Sequence, residues 1–307
     1  MPNPKYIEYK GFVFDGTELT HFGDNSQNRK CRFCGKSSPE ITFDNDTAHS
    51  ISESLGNTNF ITYDECKSCN QYFSSIEQSF YRAHGPMLMM CGIKGKDNGK
   101  RKNKAKSLSG AGVKISLSDK AFLIGLDNET FQKYENDVRN KHIFNLEPIL
   151  KFEKFKPVDI YKSLCKYVIS VLPNEILHKF SLTLDWLFGR CSLKLPNVVS
   201  TQTQLTEHPI IGYFIRQEDS KVPYAIGFFR MAMITYVFII PGANDETNYP
   251  NNEWLENFAY RLHKGHSKWY SEDLNSDRTI APKMPIEIDN VHLGKSCFFC
   301  DKDQLLF

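Results

Sequence analysis

No apolar run in the sequence approaches the roughly 18 residues that a membrane-spanning helix needs. The longest candidate, residues 232–241, is interrupted by Thr235 and Tyr236. The opening Met-Pro-Asn-Pro-Lys-Tyr has no apolar stretch of the kind a secretory leader carries. A dominant charge is missing too: 38 Lys and Arg stand against 36 Asp and Glu, a net charge of +2. With 40% apolar and 24% charged residues, the compositional bias of a disordered or low-complexity chain is also absent. These absences leave a soluble, cytoplasmic, globular protein with no membrane partner as the expectation. At roughly 150 residues per domain, 307 residues suggest about two domains.

The near-neutral total hides one local excess. Lys94, Lys96, Lys100, Arg101, Lys102, Lys104 and Lys106 face only Asp97 within thirteen residues. Such a Gly/Lys/Asn-rich stretch suits a solvated linker. It equally suits a strand or arm laid along a phosphate backbone, where released counterions favour binding. Residues 92–112 are therefore read as a basic linker or arm.

Nine cysteines are also unevenly placed. Cys31 and Cys34 form one C-x-x-C pair, Cys66 and Cys69 a second, Cys297 and Cys300 a third. Cys91, Cys165 and Cys191 stand alone. In an intracellular chain, paired C-x-x-C units point to metal ligation rather than disulfides. Zinc takes four tetrahedral ligands, which two such knuckles supply. Gly35, directly after the first pair, suits the tight knuckle turn. One structural Zn2+ on Cys31, Cys34, Cys66 and Cys69 is expected. The third pair has no partner knuckle in the sequence: it reads first as an orphaned or reduced pair, with a second zinc site completed by two of Cys91, Cys165, Cys191 or the histidines as the alternative.

The segment between the knuckles has its own pattern. Ile41 and Phe43 alternate with polar residues and suggest a strand running toward His49. Gly56-Asn57 marks a turn, and residues 59–63 read as a returning strand. Tyr72, Phe73, Ile76 and Phe80 then recur at helical spacing, so a helix is expected from about Asn70.

Taken in order, Cys-x-x-Cys, Ala-His-Ser-Ile-Ser-Glu-Ser-Leu-Gly-Asn and Glu-Cys-Lys-Ser-Cys-Asn-Gln-Tyr-Phe resemble an HNH endonuclease. The closest likeness is to the zinc-clamped ββα-metal subgroup with an "AHIIPESLGN"-like string. The resemblance covers residues 29–82. It implies that His49 is the general base, since a neutral imidazole with a pKa near 6.5 accepts a proton from water at neutral pH. Asn57 or Asn59 matches the middle position that steadies the histidine, with Asn59 preferred because it opens the second strand. Asn70 matches the ligand of a catalytic Mg2+ or Mn2+, which would stabilise the charge developing on the phosphate. There are departures. Ala48 stands where many members place an acidic or histidine ligand, and Asp46 or Asp44 is the candidate substitute. Phe73 and Ser74 stand where a final histidine would fall, and Ser52 replaces the usual proline. Glu77 is a weak ligand candidate, better read as an exposed charge or a partner of Arg82. His84 is read as a helix-end residue.

From Val113 on, the pattern suggests a hairpin at 113–117 and 122–126, then helices at 156–172 and 174–188, the second stopped by Gly189. Three strands are expected at 210–215, 222–231 and 234–241, and a last helix at 252–264. The fold class expected is α+β: a zinc-bound ββα-metal domain over residues 1–91, the basic segment, and a separate α+β domain over 113–307. That last domain carries no nucleophile elbow or phosphate loop and would serve target recognition, sensing or dimerisation into a homo-oligomer. The function expected is DNA hydrolysis, on double-stranded DNA first. By analogy with standalone nucleases, the setting would be bacterial restriction or phage defence, including as a ligand-gated effector. The alternatives are a non-catalytic zinc-ribbon nucleic-acid-binding protein and an RNA-cleaving HNH nuclease.

Overall fold

The computed structural model describes residues 9–43, 48–93, 95–97, 100–102, 107–110, 113–117, 121–129, 131–132, 135, 144–145, 153–217, 222–242, 252–262, 268–281, 287–288, 292–293, 298–301 and 305–306. The class is mixed α/β, with several sheets and four α-helices among the described residues. No helix among them is long and apolar enough to cross a membrane.

In chain order the first strands are β1 (Tyr9–Asp15), β2 (Thr20–Phe22), β3 (Ala48–His49) and β4 (Phe60–Thr62), followed by helix α1 (Lys67–Met90). Next come β5 (Gly95–Asp97), β6 (Lys100–Lys102), β7 (Ser107–Gly110), β8 (Val113–Leu117), β9 (Ala121–Leu126) and β10 (Phe144–Asn145). Helices α2 (Pro157–Val171) and α3 (Ser181–Leu187) lead to the long strands β11 (Val198–Arg216) and β12 (Ala225–Ile240). Helix α4 (Asn252–Leu262) and strands β13 (Trp269–Glu272), β14 (Glu287–Ile288), β15 (His292–Leu293), β16 (Phe298–Asp301) and β17 (Leu305–Leu306) complete the order.

Two compact units divide the chain. One comprises Met1–Phe80 with Lys156–Thr279, the other Tyr81–Phe155 with Ile280–Phe307. This division falls elsewhere than the composition-based boundaries at 91 and 113. The knuckle segment shares its unit with α2 and the β11–β12 hairpin.

In the first unit, β11 pairs antiparallel with β1, β12 and β13, and β4 lies between β2 and β3, parallel to the first and antiparallel to the second. On β12, Val237 and Ile239 join Leu255 and Ala259 of α4 in one apolar layer. Tyr236 and Phe238 face the other way, where Phe238 meets Tyr161 of α2 and Tyr236 meets Phe80 of α1. Strand alternation thus serves two layers at once. Earlier on the same strand the parity is reversed: Ile226 belongs to the α4 layer and Phe229 packs on Tyr167. The reversal happens at Ala232, held at φ 47°, beside the register shifts around Thr206. The sequence reading of separate strands ending at 231 and starting at 234 is corrected accordingly: they are one strand kinked at Ala232. The adjoining 198–209 stretch of β11 escaped that reading because its exposed residues lack alternation.

Helix α2 was expected to bury one face. It is buried on all sides from Ser163 to Val171, as the central helix of a core must be. The helix expected at 174–188 divides into a 3-10 segment, Asn174–Phe180, and α3, with Gly189 ending it at φ 69°. Of the strand expected from Ile41, only Ala48 and His49 are strand among the described residues.

In the second unit, β8 and β9 form the expected hairpin, within a sheet ordered β15-β16-β9-β8-β7. The basic segment includes a hairpin of its own, β5 with β6, in which Lys96 is opposite Arg101 and Asp97 opposite Lys100. Lys94, Lys104 and Lys106 lie outside the described residues, as do Cys297 and Asp46.

Candidate functional site

The four knuckle cysteines come together. Their Sγ atoms all lie within 4.8 Å of one another, three of the residues buried and Cys34 half-buried. The Cys34 and Cys66 sulfurs are 3.9 Å apart. Four thiolates at about 2.3 Å from one tetrahedral ion would be about 3.8 Å apart, so the donors fit a metal such as zinc. Backbone geometry prepares the site: Gly35 N–H donates to Cys31 O with Gly35 at φ 71°, and Cys66 N–H donates to Cys31 Sγ at 3.4 Å. The Cys69 thiol, donating to Cys31, outweighs burial and brings Cys31 down to about 5, with backbone N–H groups adding to the effect. Burial, then the charge of Cys31, pushes Cys34 up to about 11. The contacts converging on Cys31 favour its thiolate, the form a metal binds.

Arg32, between the first two cysteines, keys this centre into α2. Its guanidinium is fully buried and meets Asp64 at 2.6 Å. Nη1 also donates to the carbonyls of Ile169, Ser170 and Leu172. The last carbonyls of a helix have no intrahelical donor, and a cation there also suits the helix dipole. Gly23 makes room for the ion pair, since a Cβ there would fall 2.1 Å from Asp64 Oδ1.

His49 ends β3, half-buried, with Ile61 of β4 directly opposite. Its Nε2 lies 2.5 Å from Glu53 Oε1. Glu53 opens a 3-10 turn, Glu53–Leu55, capped by the Ser52 hydroxyl and closed by Gly56 in the left-handed region at φ 89°. The Glu-Ser-Leu-Gly string thus folds back to set a carboxylate against the imidazole. Asn57 ties the loop shut. It is fully buried, donates to Ile51 O and Phe60 O, and accepts from the N–H groups of Asn59 and Phe60. Asn59 turns elsewhere, donating to the carbonyls of Gly16 and Thr17 between β1 and β2. Of the two asparagines, Asn57 braces the loop of His49.

Behind β3 lies a buried lysine. Lys166 of α2 is 2% exposed, and its ammonium donates to His49 O at 3.4 Å and Ser50 O at 3.2 Å. It also lies 3.1 Å from Glu77 of α1 and 3.4 Å from Glu65. Burial opposes the charge on Lys166, but Glu65 and Glu77 outweigh it and raise its pKa. Burial drives Glu65 up to about 7 and raises Glu77 as well, in both cases against the pull of Lys166. Glu77 is therefore neither exposed nor paired with Arg82, which meets Glu153 instead. His84 is interior to α1, which continues to Met90.

Asn70 occupies the first turn of α1, half-buried, its side chain without a hydrogen bond among the described residues. Ala48 is buried and contributes no donor. Of the two ligands favoured for a catalytic metal, Asn70 is described and Asp46 lies outside the described residues, while Glu77 is engaged with Lys166.

Sequence reasoning passed over Glu53, Lys166 and Glu65. Glu53 had a signal, four residues after His49 in the quoted string. Lys166 had none, because one lysine in an amphipathic pattern reads as a solvent-facing position. Comparison with known proteins finds no matching family model, no matching curated protein and no matching solved structure.

Proposed function

We propose that this chain is a metal-dependent HNH endonuclease that hydrolyses phosphodiester bonds of DNA. The reading rests on the His49–Glu53 contact, held at 2.5 Å in a strand–loop–strand–helix segment bounded by the four-cysteine centre. Glu53 accepts a hydrogen bond from Nε2–H and fixes the orientation of the imidazole in its role as general base. Lys166 and Asn57 hold the backbone that carries the imidazole. A Mg2+ or Mn2+ ion on Asn70 and a carboxylate would supply Lewis-acid stabilisation of the phosphoryl and leaving oxygens. The four cysteines hold one structural zinc and take no part in the chemistry.

A second reading, a non-catalytic zinc-ribbon nucleic-acid-binding protein, draws on the buried methyl of Ala48, which offers no ligand beside His49. Plasmid nicking with Mg2+ or Mn2+ separates the two. Wild type should nick and His49→Ala should not. Binding without nicking by wild type on every DNA tried would end the nuclease reading. RNA run beside DNA identifies the preferred polymer.

A further inference from the structure

The β2–β4–β3 sheet has two distinct faces. Phe22, Phe60, Thr62 and Ala48 are buried on one of them. Register puts His21 opposite Ile61, and Ile61 opposite His49. Directly paired residues share a face, so His21, Ile61 and His49 form one row across the other face. Tyr63, two residues beyond Ile61, returns to that face and stacks on His21, ring centroids 4.8 Å apart and planes 4° from parallel. His21 is exposed and Tyr63 half-buried. Two strand spacings, about 10 Å, separate His21 from His49. The platform is pinned from below: Tyr63 N–H donates to Phe22 O, Thr20 N–H to Asn59 O, and the Asn59 amide to Gly16 and Thr17.

We propose that the stacked His21–Tyr63 pair is a nucleobase platform that seats an unpaired DNA base next to the phosphate held at His49. The proposal rests on the nuclease reading for what lies at His49. Phe22, Phe60, Thr62 and Ala48 fill the opposite, buried face. A flat aromatic stack on the same face as the candidate base, with His21 exposed, extends naturally onto a further π-face, which every nucleobase offers. A base can reach it only when out of its duplex, so the preferred substrate has a single-stranded or unpaired nucleotide beside the cut.

The test uses the full chain carrying His49→Ala, so that bound DNA survives, with a fluorescent single-stranded oligonucleotide and an abasic oligonucleotide of equal length. Tyr63→Leu or His21→Ala should weaken binding of the base-bearing strand roughly 5- to 100-fold and leave the abasic strand unchanged. Thermal melts confirm that each variant is folded, and His21→Ala, at an exposed position, keeps the test open should Tyr63→Leu fail to fold. In chains with His49 intact the same changes should raise KM on single-stranded DNA with kcat held. Equal affinity for the base-bearing and abasic strands, or folded variants that bind as tightly as the parent, would overturn the platform. Cleavage by wild type with unaffected platform variants removes the platform alone. Base-dependent binding with no cleavage removes the nuclease reading alone.

Discussion

Glu53 Oε1 and His49 Nε2 meet at 2.5 Å across the turn that Ser52 and Gly56 close. Both are about a quarter exposed, so the pair is reachable by a substrate yet fixed by its loop. Glu53→Gln keeps the shape and removes the charge. It should lower kcat about 10- to 100-fold in protein that melts as the parent does. A merely structural Glu53 would lower the melting temperature and leave kcat of the folded fraction unchanged.

The four sulfurs are arranged for an ion, and removing one breaks the set. Purified protein should contain one zinc per chain. Cys66→Ser should lose it, and chelation of wild type should lower the melting temperature in the same way, because metal binding and folding are one event in such units. Arg32 joins the centre to the end of α2, so the loss should spread beyond the knuckles. Well-folded protein without zinc would refute this.

Lys166 supports His49 from α2 while balancing two buried carboxylates. Lys166→Met fills similar space but strands Glu65 and Glu77. It should cost about 3–5 kcal/mol in denaturant unfolding, the usual cost of halving a buried ion pair. Adding Glu65→Gln and Glu77→Gln to the same chain should recover part of that, since neutral amides need no counterion. No recovery would show that the lysine acts through packing alone.

Much of the candidate site was legible because its signals are local. Cysteine spacing, the Leu-Gly-Asn turn and the periodicity of α1 are each fixed by neighbours in sequence, and those elements form close to where expected. What was hidden depends on distant partners. A helix that reads as amphipathic is buried on every side because a sheet and two further segments close around it, and Lys166 enters the core only because Glu65 and Glu77 await it. The kink at Ala232 resembled a turn because strand parity reverses there, although hydrogen bonding to β11 continues on both sides.

The raised Glu77 carboxyl implies a pH slope. Burial lifts its pKa above the ordinary 4.5, and Lys166 offsets this only in part, with Glu65 facing the same ammonium. Between the ordinary and the raised value the folded chain binds more protons than the unfolded one, so stability falls as pH rises through that window. The contribution is complete below about pH 4.5 and is lost above the folded pKa. Urea unfolding of wild type and Glu77→Gln from pH 4.5 upward should show the wild-type slope to be the steeper downward one. Parallel curves would place the retained proton on another group.

Spacing left Asn57 and Asn59 both open, with Asn59 preferred because it opens the second strand, and their surroundings now separate them. Asn57 is sealed in and satisfies four backbone groups of the loop that bears His49. Asn59 bonds the turn between β1 and β2 at the part-exposed rim. Each buried backbone group left without its partner costs about 1–3 kcal/mol. Asn57→Ala should therefore destabilise the chain by several kcal/mol and abolish nicking, because the His49–Glu53 geometry goes with the loop. Asn59→Ala should cost less stability, keep nicking of DNA, and weaken binding of single strands through the β2 platform it pins. Melting curves and oligonucleotide affinity on both variants distinguish the roles, and the reverse ranking would return the bracing function to Asn59.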